Sequence, residues 1–569
     1  MNANSLGDLM RKQAQSAPRA VAMMAPEGKG FREISYKELW SILRHYASYL
    51  RKLGIQRGQR VAIISENCVE WAMLDWSCQS LGIATVPVYP TLTPDSVHYI
   101  VENCDAQLIV GTEDQLAKVA SNPRRKIVLR GAPESLSELA LAETDLISEE
   151  DWNREIDDTK PRDLATIIYT SGTTGDPKGA MLCHLNFLHV CEEFEVFFRF
   201  DFPLRTVAFL PMSHIFERIV QCVVYSRAGC VAYSKNLMTL ANDMQTVKPT
   251  LLAAVPRFLE NLRDKVLDGV AKQSPVKQTI FRLGLEQGLR ARTGKFAPLA
   301  GVLDKLVGAK VRERTGGEIR FIISGGAALA PHVAEFFMGV GLTVLQGYGL
   351  TETTGGSVVN HPTRNKYWTV GEPLGLDLKL AEDGEILLRG DGIMLGYFNM
   401  PEETAKAIDP DGWFHTGDIG AMDGKQLKIT DRKKDILVLA NGKNIAPQPI
   451  ENKLKGSDYI QEAVLLGDGM DYVCALIIPR FDQVKTLLGS KGIKPPATDA
   501  ELIDVAEVKE LLQNEIRAVN KGLANFETVK KHTLLARAFT IDSGELTPSG
   551  KVKRKVIRER YAAEIDAMK

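Results

Sequence analysis

Eleven consecutive residues, Tyr169-Thr170-Ser171-Gly172-Thr173-Thr174-Gly175-Asp176-Pro177-Lys178-Gly179, bring together three glycines, four aliphatic hydroxyls and one lysine directly after an apolar run. Glycine permits tight turns that aim amide N–H groups at an anion. The hydroxyls can donate to phosphate oxygens and the lysine adds a positive charge. This is the composition of a polyphosphate cradle. Lys178 precedes Gly179 rather than Ser or Thr, so the segment is not a Walker A loop, which argues against a kinase-like P-loop enzyme. Two further glycine-bearing segments follow apolar runs, Ser324-Gly325-Gly326-Ala327-Ala328 and Gln346-Gly347-Tyr348-Gly349-Leu350-Thr351-Glu352. Two residues without Cβ atoms let a flat base or an acyl chain pass against the backbone. The second segment offers an aromatic face for a purine, a hydroxyl, and a carboxylate that suits Mg²⁺ as a hard oxygen ligand. Trp413-Phe414-His415-Thr416-Gly417-Asp418 ends on an acid after a glycine, by itself a common turn.

Taken in order, these segments resemble the signatures of the adenylate-forming superfamily, which contains acyl-CoA synthetases, peptide-synthetase adenylation domains and firefly luciferase. The resemblance runs from about residue 169 to 555. It implies that Thr170, Ser171, Gly172, Thr173, Thr174, Gly175 and Lys178 hold the phosphates of ATP. Gly325, Gly326, Ala327, Gln346, Gly347, Tyr348 and Gly349 would line the nucleotide and acyl site, with the Tyr348 ring on adenine. Thr351 would meet the α-phosphate, Glu352 would hold Mg²⁺, and Asp418 and Arg432 would contact the ribose. Residues 437–451 resemble the loop that faces the thioester site in CoA ligases, where Gly442 lets the pantetheine arm of CoA pass. Lys434 falls at the family's hinge position. Lys551, in Leu546-Thr547-Pro548-Ser549-Gly550-Lys551, aligns with the catalytic lysine.

Leu210-Pro211-Met212-Ser213-His214-Ile215-Phe216-Glu217-Arg218 resembles the version found in long-chain fatty acyl-CoA synthetases, where His214 lies by the acyl and adenylate site. Read by itself, His214 could equally be a histidine satisfied within the core. The resemblance therefore implies activation of a medium- or long-chain fatty acid to acyl-AMP with release of pyrophosphate, then transfer to CoA. Its implied catalytic residues are Lys551, Thr351, Glu352 and His214. Two other readings stay open: an acyl-AMP ligase that loads a carrier protein, and a catalytically silent lipid- or nucleotide-binding scaffold.

The rest of the chain has to position these groups. Its 569 residues are 44% hydrophobic and 25% charged, with 70 Lys+Arg against 71 Asp+Glu. A net charge of −1 provides no global field for nucleic acid, so no such partner is expected. The eight cysteines form no CxxC pair, which points to free thiols in a reducing compartment rather than a zinc site. The first twenty residues lack the apolar region of a signal peptide, and the expected location is the cytoplasm. One local bias interrupts the balance. Ten basic residues between Lys272 and Arg314 are interleaved with leucines and valine. A solvated helical excursion is the plain reading of that stretch, and peripheral contact with an inner membrane is the alternative. Oligomeric state, monomer or homodimer, is not encoded in any motif.

From about residue 60, short apolar runs alternate with helical stretches, for example Val61 to Ile64, Val69 to Gly82 and Thr85 to Val88. Such alternation predicts an α/β fold with parallel sheets covered by helices, and its extent predicts two packed α/β subdomains. Between about 369 and 430 frequent glycine turns predict antiparallel pairing in a small β-barrel. The expected organisation is a large AMP-binding domain over residues 1–430, a hinge at 431–434, and a small mobile α+β C-terminal domain over 435–569 that carries the lysine.

Overall fold

The computed structural model of the protein describes residues 3–170, 177–540, 543–546 and 552–569. A seven-stranded sheet runs in the order Gly396–Tyr397, Lys178–Cys183, Leu164–Thr170, Ala84–Val88, Arg60–Ile64, Leu108–Gly111, Arg125–Val128. The five strands from Leu164–Thr170 to Arg125–Val128 pair in parallel, as uniformly buried runs such as Ala84–Val88 predict. The other two are antiparallel. That corrects the expectation of an all-parallel sheet, and its cause is short chain length. Only residues 171–177 separate Leu164–Thr170 from Lys178–Cys183, whereas a parallel crossover needs a dozen or more.

A second α/β layer contains the strands Gly30–Ser35, Val21–Glu27, Cys230–Tyr233 and Arg205–Ala208 in that order. It adjoins a five-stranded sheet ordered Leu251–Ala254, Phe321–Ser324, Val344–Tyr348, Val358–Val359, Glu372–Pro373. The junction is made where the Thr250 N–H donates to the Arg205 carbonyl at 2.8 Å. Beyond it, Asp377–Leu380, Glu385–Arg389, Phe414–Asp423 and Gln426–Arg432 pair antiparallel in sequence order. The antiparallel texture is as expected. Asp377–Leu380 lies at one edge of this ladder, and on the other side Leu427 pairs antiparallel with Gly371, just before Glu372–Pro373.

The two α/β halves are joined by a buried polar network. Arg218 bridges both oxygens of Asp75 at 2.8 Å, donates to Thr166 Oγ1 at 2.7 Å, and lies over the Trp71 and Phe187 rings. Removing one partner would leave an unpaired buried charge, a loss of about 3–5 kcal/mol. The C-terminal domain has cores of its own, built on Ile460–Leu466, Val473–Pro479 and Val529–Leu534. It rests on the helix Pro256–Ala271 through polar contacts: Arg480 to Asp264 at 2.7 Å, Gln483 to Asp268 at 3.2 Å, and Arg263 to Asp458 at 3.8 Å. Among the described residues no helix is long and apolar enough to cross a membrane.

Candidate active site

The residues expected at the nucleoside end come from three strands. Tyr348 closes Val344–Tyr348, while Asp418 and Arg432 are cross-strand partners on Phe414–Asp423 and Gln426–Arg432. The Tyr348 hydroxyl donates to Asp418 Oδ2 at 2.7 Å, and Arg432 Nε meets Asp418 Oδ1 at 3.0 Å. Both Asp418 oxygens are thus oriented in a site that is 4% exposed. Burial, reinforced by the Asp418 charge, holds the Tyr348 phenol far above its ordinary range, so it remains a donor. The Thr416–Asp418 turn is itself pinned. The Gly417 N–H donates to Glu385 Oε1 at 2.9 Å, and the Asp418 N–H donates to Thr416 Oγ1 at 3.1 Å. Three residues that the sequence proposes for adenine and ribose therefore converge.

At the phosphate end, Thr170 and Lys178 close the seven-stranded sheet's hairpin, with Thr170 Oγ1 donating to the Lys178 carbonyl at 3.4 Å. Ser171, Gly172, Thr173, Thr174 and Gly175 lie outside the described residues, as does Lys551. The Lys178 ammonium is 5.2 Å from the centre of the Tyr397 ring and forms an ion pair with Glu403. The Tyr397 hydroxyl donates to Glu352 Oε1 at 2.8 Å. Burial, together with the Glu352 charge, pushes the Tyr397 phenol well up. Glu352 and the buried Thr351 occupy the short turn Thr351–Thr353, held by Met394 N–H donating to the Glu352 carbonyl at 2.8 Å. Among the described residues there is no cluster of three metal-ligating side chains. Mg²⁺ takes one or two carboxylates plus substrate phosphates, and a lone carboxylate beside the expected phosphate loop fits that donor set.

Beside Tyr348 in the chain, an apolar pocket holds about 610 Å³ of empty space, a figure that includes open solvent. Its walls are Phe194, Phe216, Ile219, Val220, Val223, Leu251, Ile323, Val358 and Val359, and it reaches His214, Gly325, Gly326, Gly347 and Gly349. A Cβ on Gly325 would lie 3.3 Å from the Phe216 ring, and one on Gly349 only 2.5 Å from the Gly355 backbone. Side chains at these positions would close the passage. Ala327 is exposed beyond the glycine pair. Gln346 braces the floor, accepting from the Leu329 N–H at 3.0 Å and donating to the Tyr367 carbonyl at 2.6 Å. His214 caps the helix Ile215–Ser226, its Nδ1 accepting from the Phe216 N–H at 3.1 Å, and it lines the cavity as well.

One turn into that helix, Glu217 lies 1% exposed, accepting from the Leu210 N–H at 3.2 Å and from Gln221 Nε2 at 3.1 Å. Burial pushes its carboxyl up to about 7. The folded state therefore binds this proton more tightly than the unfolded chain. Stability from this group is complete below pH 4.5 and is lost as pH rises towards 7. Glu217→Gln should remove that slope, amounting to about 3 kcal/mol across the interval. Urea midpoints of wild type and variant at pH 5 and pH 8 check this, and parallel pH dependences would contradict it.

Two expected residues belong to the C-terminal side. Gly442, with φ of +79°, sits at the tip of the hairpin between Leu437–Val438 and Asn444–Ile445, and its N–H bonds to Leu439. None of its contacts among the described residues reaches the cavity. Lys434 is exposed. Partial desolvation and Arg432 lower its pKa while the Asp418 and Glu352 charges oppose that shift, so it lies towards the nucleotide end. Tyr397, Glu403 and Glu217 were not among the sequence candidates. Glu403 reaches Lys178 across 225 positions, a pairing with no local sequence signal.

The described residues thus bring together an apolar pocket, the Tyr348–Asp418–Arg432 cluster and the Lys178–Tyr397–Glu352 group. The AMP-binding enzyme family model matches residues 10–398 and the AMP-binding enzyme C-terminal domain matches residues 434–569; the chain belongs to this adenylate-forming family. It is 32% identical to the long-chain-fatty-acid–CoA ligase FadD15 of Mycobacterium tuberculosis, over 94% of this chain and 92% of the relative. It is 30% identical to the long-chain-fatty-acid–CoA ligase 5 of Mus musculus, over 95% and 84%. In fold it matches the adenylation domain of a carboxylate reductase from Mycobacterium chelonae, with TM-score 0.77, 23% identity and coverage of 100% and 91%. It also matches ATP-bound MatB from Rhodopseudomonas palustris, with TM-score 0.73, 23% identity and 99% of both chains covered.

Proposed function

We propose that this protein is an acid–thiol ligase that activates a medium- or long-chain fatty acid with ATP to acyl-AMP and pyrophosphate, then transfers the acyl group to CoA. The observation that carries this reading is the cavity itself. Its walls are largely hydrocarbon, and they include Gly325, Gly326, Gly347 and Gly349, the last two flanking Tyr348 in the chain. The likeness to ligases of long-chain fatty acids over more than nine-tenths of the chain supports the same substrate class and the CoA acceptor.

In the first half-reaction the fatty carboxylate attacks the α-phosphorus of ATP. The acid, with a pKa of about 4.5, is already ionised at neutral pH, so no general base is required. The protein's contribution is positioning and charge neutralisation. Tyr348, Asp418 and Arg432 would fix the nucleoside, Lys178 and the Thr170–Gly175 loop the departing phosphates, and Thr351 the α-phosphate. Mg²⁺, held through Glu352, would offset the charge of the phosphates. His214 would border the reacting carboxylate, and the Lys551 ammonium would bridge it to the α-phosphate. In the second half-reaction the C-terminal domain, 435–569, would pivot within 431–434 at Lys434 and bring the Gly442 loop to face the site for CoA.

Purified protein given ATP, Mg²⁺ and acids of increasing chain length should catalyse acid-dependent ATP–pyrophosphate exchange and then consume free CoA with release of AMP. Exchange without CoA consumption would favour loading of a carrier protein; no exchange with any aliphatic acid would sink the proposal.

We further propose a cytoplasmic location with peripheral attachment to an anionic bilayer. Phe296 is 80% exposed and Val302 64% exposed, within the basic stretch that holds Lys295 and Lys305. Apolar tips among cations are the composition of an interfacial surface. Phe296→Asp, which removes an apolar tip and adds a charge repelled by the anionic surface, should reduce sedimentation with phosphatidylglycerol vesicles about threefold or more, while neutral vesicles bind neither protein. Equal sedimentation of both proteins would remove this surface from consideration.

A further inference from the structure

Lys178 is the cation expected to hold the leaving phosphates, yet in the protein it is already engaged by a carboxylate, Glu403 of the helix Pro401–Ala407. That placement is built into the backbone. Gly396–Tyr397 pairs with Lys178–Cys183, matching Gly396 to Met181 and Tyr397 to Ala180, and the Phe398 N–H donates to the Gly179 carbonyl at 2.8 Å. Thr404 accepts from the Tyr397 N–H at 2.8 Å and donates to the Met400 carbonyl at 2.9 Å. A Cβ on Gly396 would sit 2.7 Å from Thr404 Cγ2, so helix and strand are in direct contact there. Glu403 is thus presented to Lys178 from a fixed support, and its second oxygen is held by Lys406 at 2.6 Å.

The Lys178 and Glu403 side chains are 34% and 32% exposed, so the pair is solvated and inexpensive to open. A structural ion pair gains nothing from being next to an anion site. A carboxylate there repels the incoming polyanion and competes with it for the same ammonium. We propose that Glu403 is a positioning residue that competes with phosphate for Lys178, holding the ammonium in register before nucleotide arrives and recapturing it so that pyrophosphate leaves. This rests on the reading of Lys178 as a phosphate ligand given above.

The test is calorimetric binding of magnesium pyrophosphate, which needs no turnover. Glu403→Gln should tighten binding roughly three- to tenfold. In a Lys178→Ala background the same substitution should change binding less than twofold, and Glu403→Asp, keeping the charge, should restore wild-type affinity. In turnover, Glu403→Gln should lower KM for ATP and the inhibition constant for pyrophosphate without raising kcat. Weaker binding in Glu403→Gln, as a carboxylate ligating Mg²⁺ would give, or an equal change with and without Lys178, would overturn the proposal. These binding results stand even if the wild type fails the exchange assay, so the two proposals fail separately.

Discussion

Lys551→Ala is expected to lower the rate of acyl-AMP formation by about 10²- to 10³-fold, the usual cost of removing one charge-stabilising donor from a transition state. Thioester formation from supplied acyl-AMP and CoA should fall less than threefold. The asymmetry follows from where the negative charge is. In-line attack at the α-phosphorus places a carboxylate oxygen and phosphate oxygens together, and only a cation between them relieves the repulsion. In the second half-reaction a thiol attacks a carbonyl and AMP departs, so that cation has no comparable task. The flanks of residues 547–551 are well anchored. Leu546 bridges Val552, and the Lys553 N–H donates to the Glu545 carbonyl at 2.8 Å. The Glu545 carboxylate, which is fully buried, binds Arg537 at 2.6 Å and Arg560 at 3.1 Å. The alanine variant should therefore fold normally. Equal loss in both half-reactions would contradict the assignment.

Asp418→Asn should reduce kcat/KM for ATP by about 10²-fold and leave KM for the fatty acid within twofold. A carboxylate accepting from two hydroxyls makes charge-assisted hydrogen bonds, each about 1.5–3 kcal/mol. The amide keeps the size but loses the charge and offers one acceptor where Tyr348 and Arg432 already need two. Steady-state kinetics with each substrate varied in turn separates the effects. A parallel rise in both KM values would mean general damage rather than a lost nucleoside contact.

The nucleotide end was legible because its pieces are local. Tyr348 follows a buried strand and a glycine, Asp418 ends a Thr-Gly turn, and the spacing of each segment reports its own backbone. Their convergence came from resemblance, since nothing in the residues alone brings Tyr348 within 2.7 Å of Asp418. Where pairing is remote, the sequence was silent. The Arg218–Asp75 bridge joins positions 143 apart, and Glu403 finds Lys178 only because a two-residue strand docks on the edge of a distant hairpin. The small barrel expected from residue 369 asked more of its residues than they encode. Alternating turns announce antiparallel neighbours, but closure depends on strand tilt and shear, which turn residues do not encode. Glu385–Arg389 shows the limit of periodicity too, because its first four residues are all buried instead of alternating.

The seat between Pro256–Ala271 and the C-terminal domain has a thermodynamic corollary. Its named attachments, Arg480 with Asp264, Gln483 with Asp268 and Arg263 with Asp458, are charged or amide groups that water can solvate as well when they part. The Arg480–Asp264 and Arg263–Asp458 pairs are partly covered, with arginines 18% and 15% exposed, whereas Ile477 and Leu476 inside the small domain are wholly withdrawn from solvent. Parting these three contacts therefore disturbs less of the protein than opening the small domain's own core.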